Sequence, residues 1–209
     1  MKLRASDYEV RVISPLDFKT AKAFVAKHHY SKGCSHTAVH AHGLYRRGSY
    51  ELLGVALWLP PTKPAAMSVN QIHWRRVLSL SRLCVHPDVP SNAATFLMGR
   101  SIRLIRQEGK WISLVTYADE FREHTGAIYR ATNWTYVGKM KGAARWEDEN
   151  GKQVSVLATK SRTVAQMQAF GYRKIGTFDK HKFVMHLRIQ KRPIICEPDS
   201  LLWWAVAGV

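Results

Sequence analysis

The sequence predicts a mixed α/β fold, with one central β-sheet flanked by helices. Apolar, β-branched stretches alternate along the chain with stretches in which apolar residues recur every three or four positions. Helical stretches that separate predicted strands favour crossovers, which place parallel strands at the centre of the sheet. The chain has 209 residues, 46% of them hydrophobic, which is enough for one domain with a substantial core.

The predicted elements follow in order. We predict strands over residues 8–13, 37–45, 50–59, 78–86, 111–118, 135–140, 153–158 and 183–189. We predict helices over 14–28, 92–107, 126–132 and 162–170. The first helix begins at Ser14 and Pro15, because serine caps helices and proline suits a first turn. Residues 1–190 then form one catalytic domain, and 191–209 are an apolar C-terminal tail.

The charge of the chain indicates a polyanionic partner. Lys and Arg number 32 against 15 Asp and Glu, so the net charge is +17. Such an excess favours nucleic acid, and a generally solvated cationic surface is the alternative. The candidate nucleic-acid contacts are Arg75, Arg76, Arg100, Arg103, Lys139, Lys141 and Arg145.

The location we expect is the cytoplasm. No stretch approaches the ~20 apolar residues of a membrane helix, and the N-terminus lacks the apolar segment of a signal peptide. Three widely spaced cysteines, Cys34, Cys84 and Cys196, form neither a disulfide framework nor a zinc-binding pair. They fit a reducing compartment.

Ligands of open α/β sheets bind at the carboxyl ends of the parallel strands, so residues 86–93 and 117–124 are of most interest. Asp119 ends a strongly apolar strand, where an unused carboxylate is costly. It is a candidate general base or metal ligand, and a cap of the following turn is the alternative. His29 and Tyr30 end the first helix and point away from its apolar face, whereas His28 lies on that face and packs in the core.

The segment after the fourth strand is a candidate cofactor site. Small residues at the start of the next helix let a phosphate or carbonyl approach free backbone N–H groups, although a simply capped helix has the same pattern. The candidate cofactor-binding residues are Arg82, Ser91, Asn92, Ala93 and Thr95.

The order of elements and the stretch Ala127-Ile128-Tyr129-Arg130-Ala131-Thr132-Asn133-Trp134 resemble the GNAT acyltransferases. The resemblance implies parallel strands splayed at the donor site and makes Tyr129 a general acid. It also implies acetyl-CoA as donor. The usual coenzyme A loop contains glycine and arginine, whereas residues 90–95 here contain neither.

A second resemblance is more specific. His28-His29-Tyr30-Ser31, Ser81-Arg82-Leu83, Tyr117-Ala118-Asp119 and 124–131 together resemble the Mom DNA-modification proteins of Mu-like phages. The resemblance implies conversion of adenine in DNA to N6-carbamoylmethyladenine, which protects phage DNA from restriction. His29, Tyr30 and Asp119 match that family's functional positions, and Tyr30 with Asp119 match its suggested iron site.

The implied product suggests a donor other than acetyl-CoA. An activated glycyl ester, such as glycyl-tRNA, would supply all atoms of the added group, so we expect double-stranded DNA and tRNA as partners. A homodimer and a monomer both remain open. Two other functions stay as alternatives: an ordinary GNAT N-acetyltransferase that uses acetyl-CoA, and a non-catalytic nucleic-acid-binding protein.

Overall fold

A computed structural model of the chain describes residues 2–35, 37–122, 124–142, 144–154 and 162–187. The strands are β1 (Tyr8–Val12), β2 (His40–Arg46), β3 (Gly54–Leu59), β4 (Val77–Val85), β5 (Ser113–Asp119), β6 (Thr135–Met140), β7 (Ala144–Glu147), β8 (Arg173–Thr177) and β9 (Lys180–His186). The helices are α1 (Phe18–His28), α2 (Lys63–Met67), α3 (Ala93–Glu108), α4 (Ala127–Arg130) and α5 (Val164–Ala169).

Seven strands form one mixed sheet in the order β1-β2-β3-β4-β5-β9-β6, while β7 and β8 form a separate two-stranded sheet. Within the large sheet β4 and β5 are parallel, and the other neighbours are antiparallel. The helix α3 crosses between these parallel strands, as the sequence predicts. The mixed α/β fold class is therefore confirmed.

The two parallel strands are paired along only part of their length. Residues Val77–Ser79 of β4 face Ser113–Val115 of β5, and no pairing continues beyond them. Further along, β4 stays paired with β3 and β5 stays paired with β9. The carboxyl halves of β4 and β5 therefore separate, and a cleft opens between them at the centre of the sheet.

Helices cover both faces of the sheet. On one face α3 buries Leu97, Met98, Ile102 and Ile105 against residues that include Trp58 and Phe183. On the other face α1 buries Ala21, Phe24 and Val25. Each large apolar side chain buried in this way contributes roughly 1.5–3 kcal/mol to stability. The core thus fixes the strands that border the cleft.

The ends of several elements differ from the sequence prediction. Ser14 accepts a hydrogen bond from Leu16 N as a cap, but it begins a 3₁₀ turn, and α1 starts only at Phe18. The third strand begins at Gly54 rather than at residue 50. The sheet of β7 and β8 was not predicted. Of the predicted strand 153–158, Gln153 bridges to Glu147, and residues 155–158 lie outside the described part, as does the tail 191–209.

The predicted packing of the two histidines was wrong. His28 is only half-buried, with its ring centroid 4.5 Å from that of Phe24 and 4.8 Å from that of His86. His29 is the buried one, with 8% of its surface exposed. The reason is that α1 ends at His28, so His29 adopts an extended backbone and turns inward.

None of the helices in the described ranges has the length and apolar character that crossing a membrane requires.

Candidate active site

Two adjoining cavities occupy the cleft between β4 and β5. The first, here called the cleft cavity, has a volume of about 390 Å³ and is lined by both strands, α4 and the start of α3. The second, here called the Asp119 cavity, has a volume of about 400 Å³ and lies at the end of β5. The two share one wall, made of Tyr30, Leu80, Ser81, Arg82 and Tyr117.

His29 lines the cleft cavity as a neutral hydrogen-bonding group. Its Nδ1 accepts from Ser31 N at 3.1 Å and lies 2.8 Å from Ser31 Oγ. Because Nδ1 accepts, this network assigns the proton to Nε2. Burial, with Arg82 and His124 nearby, lowers the pKa of His29 from 6.5 to about 4. At pH 7 the imidazole is therefore uncharged and can donate from Nε2.

Tyr30 stands in the wall that the cavities share and is 45% exposed. Its ring centroid lies 4.2 Å from that of His29 and 5.4 Å from that of His124, which approaches edge-on. Tyr30 therefore presents a part-exposed aromatic ring, supported by two neighbouring imidazoles, on which a planar base can stack. The sequence reasoning missed His124 as a site residue, although it lies in the block 124–131 that resembled Mom proteins.

Tyr129 reaches the cleft cavity because of Gly126. The backbone of Gly126 has φ +77°, and a Cβ there would collide with the Phe183 ring, so glycine alone fits before α4. The Tyr129 hydroxyl bonds to the Thr116 side chain, and Thr116 Oγ1 donates to Leu80 O at 3.4 Å. Burial raises the pKa of Tyr129, so the hydroxyl is protonated at neutral pH, as a general acid has to be.

Asp119 lines the Asp119 cavity and makes two contacts with its carboxylate. Its Oδ1 accepts from Phe121 N at 3.2 Å, which is the turn-capping alternative considered for this residue. Its Oδ2 accepts from Arg145 Nη2 at 2.5 Å. Lys180 lies opposite Asp119 on β9 and lines the same cavity. Asp119 therefore faces a cavity with cationic groups beside it, and it remains a candidate base.

The residues of the suggested iron site do not fit a metal. Tyr30 and Asp119 line one cavity, but the Arg145 guanidinium binds the Asp119 carboxylate and Lys180 lies opposite it, so a metal cation there would meet two positive charges. Across the described ranges, no three His, Cys, Asp or Glu side chains gather as a ligand set. We therefore assign no step to iron.

The predicted cofactor residues are dispersed. Arg82 lines both cavities, and its Nε and Nη1 donate to Gly33 O at 2.8 Å and Ser81 O at 2.7 Å. At the start of α3, however, Asn92 Oδ1 accepts from Leu3 N at 2.7 Å, and Thr95 Oγ1 donates to Asn92 O at 2.7 Å.

The rest of that helix start offers little to a cofactor. Ala93 is fully buried, and Ser91 lines a different cavity beside Lys2 and Arg4. Only Ala94, which was not predicted, lines the cleft cavity there. None of these side chains at the start of α3 brings a positive charge to a pyrophosphate, and binding of a phosphate by the backbone N–H groups of the segment stays a prediction.

The predicted nucleic-acid contacts occupy several places. Arg76 donates to Gly109 O and Lys110 O, and the guanidinium groups of Arg75 and Arg100 lie over the Trp74 and Phe96 rings. Lys139 pairs with Glu120 at 2.6 Å. Arg103 and Lys141 are exposed, whereas Arg145 is turned inward to Asp119. Their contact with nucleic acid stays a prediction.

The splayed parallel strands and the central cleft define the fold of the GNAT acetyltransferases. The chain resembles an N-acetyltransferase from Staphylococcus aureus (13% identity, TM-score 0.53, 87% of this chain and 99% of that one). It also resembles yncA, a putative acetyltransferase from Salmonella typhimurium with acetyl-CoA (11% identity, TM-score 0.54, 91% of this chain and 99% of that one). A third similar structure is a polyamine N-acetyltransferase from Drosophila melanogaster (11% identity, TM-score 0.54, 87% of this chain and 100% of that one). At such identities these likenesses show the fold alone.

A family model identifies the chain more specifically than its fold does. The model of the Mom protein family matches residues 10–196, so the chain belongs to the Mom family. A relative from Escherichia phage Mu, the methylcarbamoylase mom, is 24% identical over 123 residues, which are 56% of this chain. The match spans about half of that relative, 49% of its length.

Proposed function

We propose that this protein modifies DNA by transferring a group to the exocyclic N6 of adenine, with N6-carbamoylmethyladenine as the product. Membership of the Mom family and the name of its phage Mu relative support modification by a transferase. The observation that carries the proposal is the pair of adjoining cavities with a shared wall. Such a pair can hold a donor and an acceptor in contact, which is what group transfer requires.

The side chains divide between the two cavities by chemical role. Asp119 borders the second cavity, where it can accept a proton from an attacking adenine N6. His29 and Tyr129 border the first, where Nε2–H of His29 can donate to a developing oxyanion. Tyr129 can protonate the departing oxygen. Tyr30 and Arg82 stand between them, and we assign them to stacking on the base and to binding a phosphate or carbonyl.

The donor we favour is an activated glycyl ester, with glycyl-tRNA as the natural form. Adenine N6 attacks the ester carbonyl, loses a proton to Asp119, and the 3′-hydroxyl of the tRNA leaves with a proton. The free glycyl amine then attacks C6 through a five-membered ring, and the C6–N6 bond breaks. The original N6 becomes the amide nitrogen, so all atoms balance without an oxidant or reductant.

The experiment is a reconstitution from purified components. The protein is incubated with an adenine-containing duplex and either glycyl-tRNA, uncharged tRNA with glycine, or acetyl-CoA, and the digested nucleosides are analysed by mass spectrometry. We expect the glycinamide-bearing adenine only with glycyl-tRNA. Acetylated adenine with acetyl-CoA would instead support an ordinary acetyltransferase activity, which the fold also allows. Modification without any tRNA would refute the glycyl-tRNA donor.

A further inference from the structure

One aromatic side chain outside both cavities is unusually exposed. Phe170 follows α5 and has 58% of its surface accessible, although it is among the most apolar residue types. The next residue, Gly171, has φ +75°, a conformation that glycine adopts without strain. The chain therefore turns tightly just after Phe170 and leaves the ring at the tip of the α5–β8 connection.

The surroundings of this ring are cationic. The Arg162 guanidinium lies 4.5 Å from the centroid of Phe170, and the Tyr172 ring lies at 6.1 Å. Residues 162–178 contain Arg162, Arg173 and Lys174 but no acidic residue, and Arg173 is paired with Glu147 of the neighbouring strand β7. An exposed aromatic ring among cations suits a ligand that offers both flat bases and phosphates, which is the chemistry of a nucleic acid.

The same segment is tied to the candidate active site. The strand β8 pairs with β7, where Gly176 faces Arg145, and Arg145 binds Asp119. The Phe178 ring also packs edge-on against Phe121, with centroids 4.7 Å apart. Phe170 precedes Gly176 by six positions, which limits the Cα–Cα distance to about 20 Å. The segment that carries the ring is therefore joined directly to the strand pair that binds Asp119, and we place both beside the same bound duplex.

We propose that Phe170 is a wedge that enters the base stack of duplex DNA and holds the target adenine outside it. This inference rests on the proposed function. An adenine in a duplex must leave the stack before its N6 can reach a buried group, at a cost of a few kcal/mol. Proteins lower this cost by inserting an apolar side chain between base steps. Arg162 and Lys174 then contact the phosphates beside the insertion.

The test uses a duplex in which 2-aminopurine replaces the target adenine, because its fluorescence rises when it unstacks. The wild type, Phe170→Ala, Phe170→Trp and the control Val164→Ala, which removes an apolar residue 53% exposed on α5, are titrated with this DNA. We expect the fluorescence rise from the wild type, Phe170→Trp and Val164→Ala. At saturating protein, we expect the unstacked fraction of the target base with Phe170→Ala to be at least about tenfold lower than with the wild type.

A second readout separates this inference from the proposed function. The target adenine is placed opposite thymine or opposite an abasic site, where no pairing has to be broken. We expect Phe170→Ala to be slow on the paired target and close to wild type on the unpaired one. Equal unstacking and equal rates for Phe170→Ala and wild type would refute the wedge. An equal loss of modification rate by Phe170→Ala on the paired and the unpaired target would also refute the wedge. A wild type that unstacks the base yet modifies neither target would overturn the proposed function and leave the wedge standing.

Discussion

The carboxylate of Asp119 and the guanidinium of Arg145 form an ion pair of 2.5 Å between residues 26 positions apart in sequence. The side chains are only 14% and 16% exposed, so water screens the pair little. This contact joins the end of β5 to the two-stranded sheet of β7 and β8. It orients the candidate base and at the same time attaches the two-stranded sheet to the wall of the Asp119 cavity.

Replacing Arg145 should damage both stability and activity. Arg145→Gln leaves a buried carboxylate without its cation, and we expect the free energy of unfolding to fall by about 1–3 kcal/mol. DNA modification should fall with it, because Asp119 loses its orientation. Urea unfolding and nucleoside analysis measure the two effects. Arg103→Gln, at an exposed helix position, is the matched control for stability, and equal unfolding curves for both variants would contradict the account.

Gly126 should not tolerate a side chain. Gly126→Ala forces a strained φ and a collision with Phe183, so we expect a loss of about 1–3 kcal/mol in the free energy of unfolding. Gly99 lies inside α3 with open space around it, and Gly99→Ala should gain about 0.5–1 kcal/mol. Thermal melts of the two variants should therefore shift in opposite directions. An unchanged or raised melting temperature for Gly126→Ala would show that the conformation of Gly126 is not required.

Stability should fall as the pH is lowered from 6.5 to about 4, because the pKa values of four histidines are lowered: His28, His29, His40 and His42. Burial lowers the pKa of His29 and of His42 to about 4, so the unfolded chain binds protons first. The stabilising contribution is complete above pH 6.5 and is lost as the pH falls towards 4. Denaturant unfolding at several pH values measures this slope. His29→Gln should reduce the slope. The contribution of His42 to the slope should remain, since its Nδ1 lies 2.5 Å from Ser101 Oγ and is not changed by the substitution. An unchanged slope would mean that His29 is not held neutral.

Tyr129→Phe should lose activity while keeping the fold. The variant retains the ring that packs on Trp134 and Phe183 but removes the hydroxyl. General acid catalysis contributes typically about 10²–10⁴-fold, and we expect a decrease in that range. Tyr136→Phe is the matched control, because its hydroxyl bonds His181 at 3.1 Å outside the cleft. Comparable rates for the two variants would remove Tyr129 from the mechanism.

Sequence reasoning predicted the large sheet better than the small one. The strand β5 is a run of mostly apolar, buried residues, and β4 alternates apolar residues with small polar ones over its first half. The capping and periodic signals around α1 and α3 are local, so all four elements can be read from the sequence. The strand β7 contains Ala144-Arg145-Trp146-Glu147, which has no clear alternation, and its partner β8 is 26 residues away. A pairing of that kind depends on tertiary packing that no local pattern shows.

The site was predicted in its residue types rather than in its geometry. Asp119 at a strand end and His29 with Tyr30 at a helix end are recognisable as chemistry-bearing positions. Their partners are not, because Arg145 reaches Asp119 across the fold and Thr116 meets Tyr129 only through the splay of β4 and β5. The inward turn of His29 likewise depends on the residue at which α1 ends.

The most direct test of the account is the nucleoside composition of plasmid DNA from cells that express the protein. Wild type, Asp119→Asn and the exposed control Asp17→Asn are compared by mass spectrometry, with DNA binding of each purified variant measured in parallel. The account predicts an adenine heavier by one glycinamide substituent with wild type and Asp17→Asn, and none with Asp119→Asn, which still binds DNA. Modified adenine in the Asp119→Asn sample, or unmodified DNA in all three, would contradict it.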